Sequence, residues 1–305
     1  EEIVEGTLKC PSCNYTFFIK EGIVILGIKD NLSLKEKLSE MEGEYQWVYE
    51  MHDQEEHLTY LKNYLPLINK GIKDIAEKEK VILDLGAGCC ETSYLFTHYG
   101  AWVIAMDMMP EFIRCSQAFI DQDHYFERLV GDIEILPFAD HSFDLVFCKE
   151  ILHHLPSLSN VVSEIARILK PKGKCVVWEP VKGILEKKED EEIRKSGLSH
   201  HGYSFFNYQR YFSQYFKLTK WEPLLEKVKV KKLITLPSFL LPLYLFLRGG
   251  GIKFKFLLKE EERVPRLKNK VVPFTLERFH RNDLLVEREK ETKMKKELEI
   301  LQSIF

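Results

Sequence analysis

The sequence has no large excess of charge of either sign, and it lacks the marks of a secreted protein. Lysine and arginine number 44 and aspartate and glutamate number 47, so the formal net charge of the 305-residue chain is only −3. This balance argues against a general nucleic-acid binder and against an acidic tail. The seven cysteines stand mostly singly on apolar runs, which favours core filling in a reducing compartment over a disulfide framework. No signal peptide is visible, and we expect a cytoplasmic protein.

A glycine-rich turn is present, but it lacks the residues of both common phosphate-binding loops. The run Val81-Ile-Leu-Asp-Leu-Gly-Ala-Gly88 predicts a buried strand and a tight turn, with a helix that starts near Glu91. A dinucleotide fingerprint has glycine or alanine where this chain has Glu91, and a carboxylate there would repel a pyrophosphate. The Lys-Ser/Thr pair of a P-loop is also absent. The turn therefore favours a nucleotide-like ligand without phosphate.

Two motifs of this chain resemble those of a known family. Residues 83–88, Leu-Asp-Leu-Gly-Ala-Gly, resemble the first motif of the class I S-adenosylmethionine-dependent methyltransferases. Residues 136–147, Leu-Pro-Phe-Ala-Asp-His-Ser-Phe-Asp-Leu-Val-Phe, closely resemble a motif of the ubiquinone-biosynthesis-like branch of that family. The resemblance covers about residues 80–180. It implies a Rossmann-like α/β fold with a doubly wound, mostly parallel seven-stranded sheet, a small N-terminal β ribbon and a C-terminal helical extension.

The resemblance implies S-adenosylmethionine as the cofactor, since this molecule carries an amine, a carboxylate, a ribose and an adenine but no phosphate. An acid after the second predicted strand, Asp107, is suited to the ribose hydroxyls. Asp132, an acid that follows the third predicted strand, would accept a hydrogen bond from the adenine amino group. The expected cofactor-binding residues are Asp84, Gly86, Ala87, Gly88, Asp107, Met108, Asp132, Ile133 and Lys149.

One position departs from the family pattern. The third glycine of the family's turn is Cys90 here. A side chain at this position either narrows the methionine end of the pocket or only reshapes the loop. We do not expect the Cys89-Cys90 pair to act as a catalytic thiol, because nothing in the sequence supplies a base beside it.

The implied chemistry is in-line displacement at a methyl carbon. The protein contributes alignment of the two reactants and removes a proton where the nucleophile carries one. Candidate bases are His153 and His154, just past the fourth predicted strand, and His200 and Tyr203, in a loop that returns over the sheet. The alternative for the first pair is that one histidine packs in the sheet and the other bonds to backbone.

The first 30 residues contain two short β-like runs around Cys10-Pro-Ser-Cys13. This pattern resembles the second half of the zinc-ribbon domain that accompanies many methyltransferases. A structural zinc site needs four ligands, and no second Cys-x-x-Cys is present. We therefore predict a metal-free hairpin that packs on the main domain.

We divide the chain into a ribbon-like hairpin (1–30), a helical lead-in or lid (31–79), the cofactor-binding domain (80–222) and a C-terminal helical extension that caps the substrate (223–305). Within the extension, the apolar run 233–247 contains two prolines and is too short for a comfortable spanning helix. Every charged side chain in 227–255 is basic. This segment either touches a membrane surface or a lipid-like substrate, or forms a helical hairpin that roofs the active site or makes a homodimer contact.

The sequence therefore predicts a methyltransferase that acts on a small-molecule acceptor, perhaps apolar or lipid-like. The alternative from another class is a binding or scaffold protein that keeps the fold without turnover. Methylation of RNA or protein ranks lower, because Lys149-Glu-Ile-Leu152 stands where an Asn-Pro-Pro-Tyr type motif would follow the fourth strand.

Overall fold

The computed structural model describes residues 3–9, 14–26, 65–66, 68–121, 123–181, 202–224 and 253–260, with 221–224 and 253–260 described by their backbone. The strands are β1 (Gly6–Lys9), β2 (Thr16–Lys20), β3 (Ile23–Ile25), β4 (Val81–Leu85), β5 (Trp102–Asp107), β6 (Glu127–Val130), β7 (Phe143–Lys149), β8 (Leu169–Pro180), β9 (Phe216–Leu224) and β10 (Lys253–Glu260). The helices are α1 (Glu91–His98), α2 (Pro110–Cys115), α3 (Gln117–Ile120), α4 (Ser159–Ile168) and α5 (Phe205–Phe212), with a 3₁₀ turn at Leu152–His154.

The strands form one sheet in the order β1-β2-β3-β6-β5-β4-β7-β8-β10-β9. The run from β3 through β6, β5, β4 and β7 to β8 is parallel throughout, and the outer pairs are antiparallel. This confirms the predicted α/β class with a mostly parallel sheet. The strand order reverses between β4 and β7, which is where such sheets bind their ligands, outside the carboxyl ends of the strands.

The central strand β4 shows why the predicted strands are apolar. Ile82, Leu83 and Leu85 are fully buried. Ile82 joins the core cluster on one face of the sheet, while Leu83 and Leu85 join the cluster on the other. Because successive side chains of a strand point to opposite faces, a strand covered on both sides is apolar on both faces, and in β4 Asp84 is the one exception.

The N-terminal strands extend the central sheet, which corrects the expectation of seven strands. Seven strands, from β6 across to β9, follow the predicted arrangement, and the hairpin adds three more through the parallel pair of β3 with β6. The amide of Leu26 donates to the carbonyl of Val130 at 2.8 Å, and the Arg128 guanidinium donates to the carbonyl of Glu21 at 2.9 Å. Cys10 and Cys13 lie outside the described residues. Within the described part, no group of three or more metal-ligating side chains is close enough to hold a metal ion.

The expectation of a purely helical C-terminal extension is wrong at residues 253–260. This segment is β10, which pairs antiparallel with β8 on one side and β9 on the other. Its sequence begins Lys-Phe-Lys-Phe, and this alternation of polar and apolar residues is typical of a strand rather than a helix. The prediction overlooked that period because the neighbouring apolar run dominated the segment.

Local contacts account for two element boundaries. β8 begins at Leu169, which is fully buried and pairs with Phe143 of β7. The helices α2 and α3 are separated at Ser116, whose hydroxyl donates to the carbonyl of Ile113 at 2.6 Å.

Among the described residues, no helix combines the length and the apolar character that crossing a membrane requires. The apolar run 233–247 lies outside them, as do residues 31–64 and 67 of the predicted lead-in.

Candidate active site

The turn after β4 contains two glycines with different surroundings. Both adopt positive φ, +74° at Gly86 and +54° at Gly88. A Cβ at Gly86 would lie 2.5 Å from the side chain of Ile151, whereas a Cβ at Gly88 would meet no atom of the described residues within 4 Å. Gly86 is therefore required for packing, and Gly88 borders open space that a ligand can enter.

Asp107, the last residue of β5, faces the same turn. It is buried, and its carboxylate accepts hydrogen bonds from the amides of Gly88 and Met109, both at 2.9 Å. Burial raises the pKa of Asp107, and the backbone hydrogen bonds oppose that rise. The carboxylate is thus fixed beside the open space at Gly88, where a ribose would need an acceptor.

Asp84 is the second buried acid of the turn. The hydroxyl of Ser93, on α1, donates to its carboxylate at 2.7 Å. Burial raises the pKa of Asp84 to about 7, and the Ser93 hydrogen bond and the charge of Lys149 oppose the rise. Lys149, at the end of β7, is therefore close enough to act on this carboxyl electrostatically. Ser93 was not among the predicted site residues.

Cys90 explains the family's preference for glycine at its position. Its φ of 67° and ψ of 21° place it in the left-handed region immediately before α1, where a side chain is strained. The side chain is fully buried and belongs to a core cluster with Ala87. Burial raises the pKa of the Cys90 thiol well above its usual value, so the thiol is a poor nucleophile.

The predicted adenine-side residues follow β5 and β6. The amide of Gly131 donates to the carbonyl of Asp107 at 2.9 Å, which joins the ends of the two strands. Asp132 follows, half-buried, and its carboxylate accepts from the amide of Glu134 at 2.9 Å. Met108 is half-buried, whereas Ile133 is buried in the core. The predicted cofactor residues therefore lie at the carboxyl ends of β4, β5 and β7 or on the turns that follow β4, β5 and β6, all at one end of the strands.

The histidine pair lies in the 3₁₀ turn directly after β7. His153 is buried, and its Nδ1 lies 2.7 Å from a carboxylate oxygen of Glu179. The rings of His153 and His154 are 4.2 Å apart, and His154 is half-buried. The amide of His154 donates to the carbonyl of Ile151 at 3.1 Å.

Tyr203 is placed differently from the histidines. Its hydroxyl donates to the carbonyl of Leu155 at 2.9 Å, and burial raises the pKa of the phenol. A phenol that is protonated and committed to a carbonyl is a poor base, so this contact favours a role in holding the loop after the histidines. His200, the fourth candidate base, lies outside the described residues.

Sequence reasoning missed Glu179 as a site residue. It lies near the end of β8 and is fully buried. The signal was present, because Glu179 follows the apolar run Cys175–Trp178 as Asp107 follows its own strand. The sequence predicts a fifth strand at residues 174–178, but β8 continues for two more residues, through Glu179 to Pro180.

The arrangement of residues around Gly88 suits S-adenosylmethionine. The size of the open space does not by itself exclude other ligands. Gly88 leaves space for the ligand, the carboxylate of Asp107 is fixed beside that space, and the turn at Asp132 adjoins it through Gly131. Residues 83–177 match the family described as "Methyltransferase domain". The core has the methyltransferase fold. This match supports S-adenosylmethionine as the cofactor.

Relatives of the methyltransferase core are known as sequences and as structures. The uncharacterized methyltransferase YcgJ of Bacillus subtilis is 30% identical over 135 residues, which are 40% of this chain and 53% of that protein. A ubiquinone biosynthesis O-methyltransferase of Coxiella burnetii is 31% identical over 103 residues, 33% of this chain and 44% of that protein. The crystal structure of MccD protein superposes with a TM-score of 0.50 at 15% identity, covering 64% of this chain and 96% of that one. The chain thus spans about half the length of these curated relatives, and the structural likeness shows the fold alone.

Proposed function

We propose that this protein transfers the methyl group of S-adenosylmethionine to a small-molecule acceptor that is apolar or lipid-like. The observation that carries the proposal is the turn at Gly88, open on one side and tied to the buried carboxylate of Asp107 on the other. A turn that only packed a strand on a helix would need no such space. The match of residues 83–177 to the methyltransferase family supports the same reading.

The proposed class of acceptor has less support than the proposed cofactor. Relatives named for ubiquinone biosynthesis and for tocopherol methylation suggest membership of the ubiquinone-biosynthesis-like branch. The basic and apolar segment 227–255 would suit a lipid-like acceptor or a peripheral membrane contact. In this proposal residues 31–79 act as a lid and 223–305 as a substrate cap. The N-terminal hairpin, a relic of a half zinc ribbon, covers the edge of β6.

A second candidate is a binding protein that holds the cofactor without transferring its methyl group. The observation in its favour is Cys90, which replaces the glycine of the family's turn and holds a strained backbone conformation. Its side chain packs into the core, however, and its thiol donates to the backbone carbonyl of Gly88 at 3.6 Å.

The test is transfer of a tritiated methyl group from S-adenosylmethionine to a panel of acceptors: a prenylated benzenediol, catechol, a secondary amine, total RNA and unmodified protein. We expect label in an extractable small-molecule product with the wild-type chain and none with Asp107→Ala. Label in RNA or protein would overturn the proposed acceptor class. Binding of S-adenosylhomocysteine without transfer to any member of the panel would favour the binding protein.

A further inference from the structure

The turn after β7 has a shape that local preference does not maintain. Glu150, the first residue after β7, has a φ of 57°, in the left-handed region where a side chain is strained. The amides of the next two residues, Ile151 and Leu152, stand at the start of the 3₁₀ turn and find no acceptor within it. Strain and unmet amides both favour another conformation, so contacts from outside the turn must hold it in place.

Glu179, near the end of β8, supplies those contacts. One carboxylate oxygen accepts hydrogen bonds from the amides of Ile151 and Leu152, each at 2.8 Å. The other oxygen lies 2.7 Å from Nδ1 of His153 and 3.5 Å from the hydroxyl of Tyr208. Glu179 is completely buried, so water cannot replace it as the acceptor, and buried amides that lose their acceptor are costly. The carboxylate therefore binds three consecutive residues of the turn.

Ile151 connects this turn to the glycine turn after β4. A Cβ at Gly86 would lie 2.5 Å from Cβ and from Cγ1 of Ile151, so the side chain of Ile151 packs directly on Gly86. The amides of Gly86 and Ala87 donate to the carbonyl of Met106 at 2.8 and 3.0 Å. The glycine turn is thus held by β5 through hydrogen bonds and by Ile151 through packing. A shift of Ile151 would change the conformation of the turn that leads to Gly88.

We propose that Glu179 is a positioning residue for the cofactor, because it holds Ile151 against Gly86 and so fixes the turn that binds the cofactor. Glu179 has no exposed surface, so it acts through Ile151 and not on the cofactor itself. The proposal rests on the function proposed above and deepens it, since it assigns part of the cofactor affinity to a residue outside the glycine turn.

A purely structural role for Glu179 predicts a different result on substitution. If the carboxylate only stabilised the fold, its removal would lower the stability of the protein, and the molecules that remain folded would bind the cofactor as the wild type does. If it positions Ile151, folded molecules without the carboxylate bind the cofactor more weakly. A substitution that keeps an acceptor for the two amides then keeps the affinity.

The experiment is calorimetric titration with S-adenosylhomocysteine of the wild type, Glu179→Leu and the matched control Glu179→Gln, each below its thermal unfolding transition. Glutamine keeps an oxygen that can accept both amides, whereas leucine has a similar size and no acceptor. We expect at least about tenfold weaker binding in Glu179→Leu and agreement of Glu179→Gln with the wild type within about threefold. Wild-type affinity in a folded Glu179→Leu overturns the proposal, and so does a Glu179→Gln that binds as weakly as Glu179→Leu.

Ile151→Ala tests the same contact from its other side. This variant keeps the backbone amides that bind Glu179 and removes the side chain that packs on Gly86. We expect at least about tenfold weaker binding of S-adenosylhomocysteine. Undiminished affinity in a folded Ile151→Ala overturns the proposal even if Glu179→Leu does not fold.

The double variant shows whether Glu179 acts through Ile151. Two residues that act through one contact have effects that do not add, so Ile151→Ala should weaken binding by no more than about threefold when Glu179 is already leucine. Two single effects that multiply in full would overturn the proposal.

The wild type separates this proposal from the proposed function. A folded wild type that does not bind S-adenosylhomocysteine overturns the proposed function, and this proposal with it. Binding by the wild type together with unchanged affinities in the folded leucine and alanine variants overturns this proposal alone.

Discussion

The amide of Gly88 donates a hydrogen bond to the buried carboxylate of Asp107, 2.9 Å away, and so joins the turn after β4 to the end of β5. The Met109 amide holds the other oxygen of the same carboxylate at 2.9 Å. Asp107 is therefore oriented before any ligand arrives, so binding of a ribose would not include the free-energy cost of ordering this side chain.

The two glycines of the turn should respond to alanine for different reasons. In Gly86→Ala the new methyl group clashes with Ile151, so we expect loss of stability that thermal unfolding detects. In Gly88→Ala we expect the cost of positive φ, about 1 to 2 kcal/mol, because no atom of the described residues lies within 4 Å of the new methyl group.

Gly88→Ala should nevertheless bind S-adenosylhomocysteine at least about tenfold more weakly, because its methyl group enters the open space of the site. The measurement is calorimetric titration of the folded variant. Undiminished affinity in Gly88→Ala would show that the cofactor does not use this space.

Asp84 should make the stability of the protein depend on pH. Its pKa is raised from 3.8 to about 7 in the folded protein, so the folded state binds more protons than the unfolded state between these values. The stability that Asp84 contributes is present below the unfolded pKa and is lost as pH rises through the folded pKa.

The variant Asp84→Asn removes this titration and keeps an oxygen that can accept from Ser93. We expect the unfolding free energy of the wild type, relative to the variant, to fall by about 2 kcal/mol from about pH 5 to about pH 7. Urea unfolding at several pH values measures this difference. Parallel curves would contradict the burial of an ionisable Asp84.

Cys90 allows a test of the strained turn without any ligand. At its φ of 67° alanine keeps the strain and glycine removes it. We expect Cys90→Gly to be more stable than Cys90→Ala by about 1 kcal/mol, the reverse of the usual order in helices. Urea unfolding of the two variants decides this, and an alanine variant of equal or greater stability would be the contrary result.

The sequence was sufficient to predict the central sheet because its signals are local. Apolar runs such as 81–85 and 143–148 read directly as buried strands, and the acids Asp84 and Asp107 follow from their places at strand ends. The positions of these acids at strand ends could thus be predicted without a structure, and their role in binding stays a prediction. Glu179 also follows an apolar run, near the end of β8. It was not predicted as a site residue because the fifth strand was predicted to end before it.

The long-range contacts could not be predicted in this way. Nothing local in Ile23–Ile25 states that β3 pairs in parallel with β6, more than 100 residues away. The insertion of β10 between β8 and β9 is likewise a property of the assembled sheet. The hydrogen bond between His153 and Glu179 joins the turn after β7 to the end of β8, 26 residues along the chain, and the pairing of β7 with β8 brings the two together.

The central claim is that the open turn at Gly88 and the acid Asp107 form the cofactor site. The most direct measurement is calorimetric titration with S-adenosylhomocysteine of the wild type, Asp107→Ala and a matched control, Asp144→Ala. Asp144 is also a hydrogen-bonded carboxylate, held by Lys170 and the amide of Val81, but it lies at the opposite end of the strands. We predict saturable binding by the wild type and the control and its loss in Asp107→Ala. Equal affinities for the two alanine variants, or no binding by a folded wild type, would contradict the account.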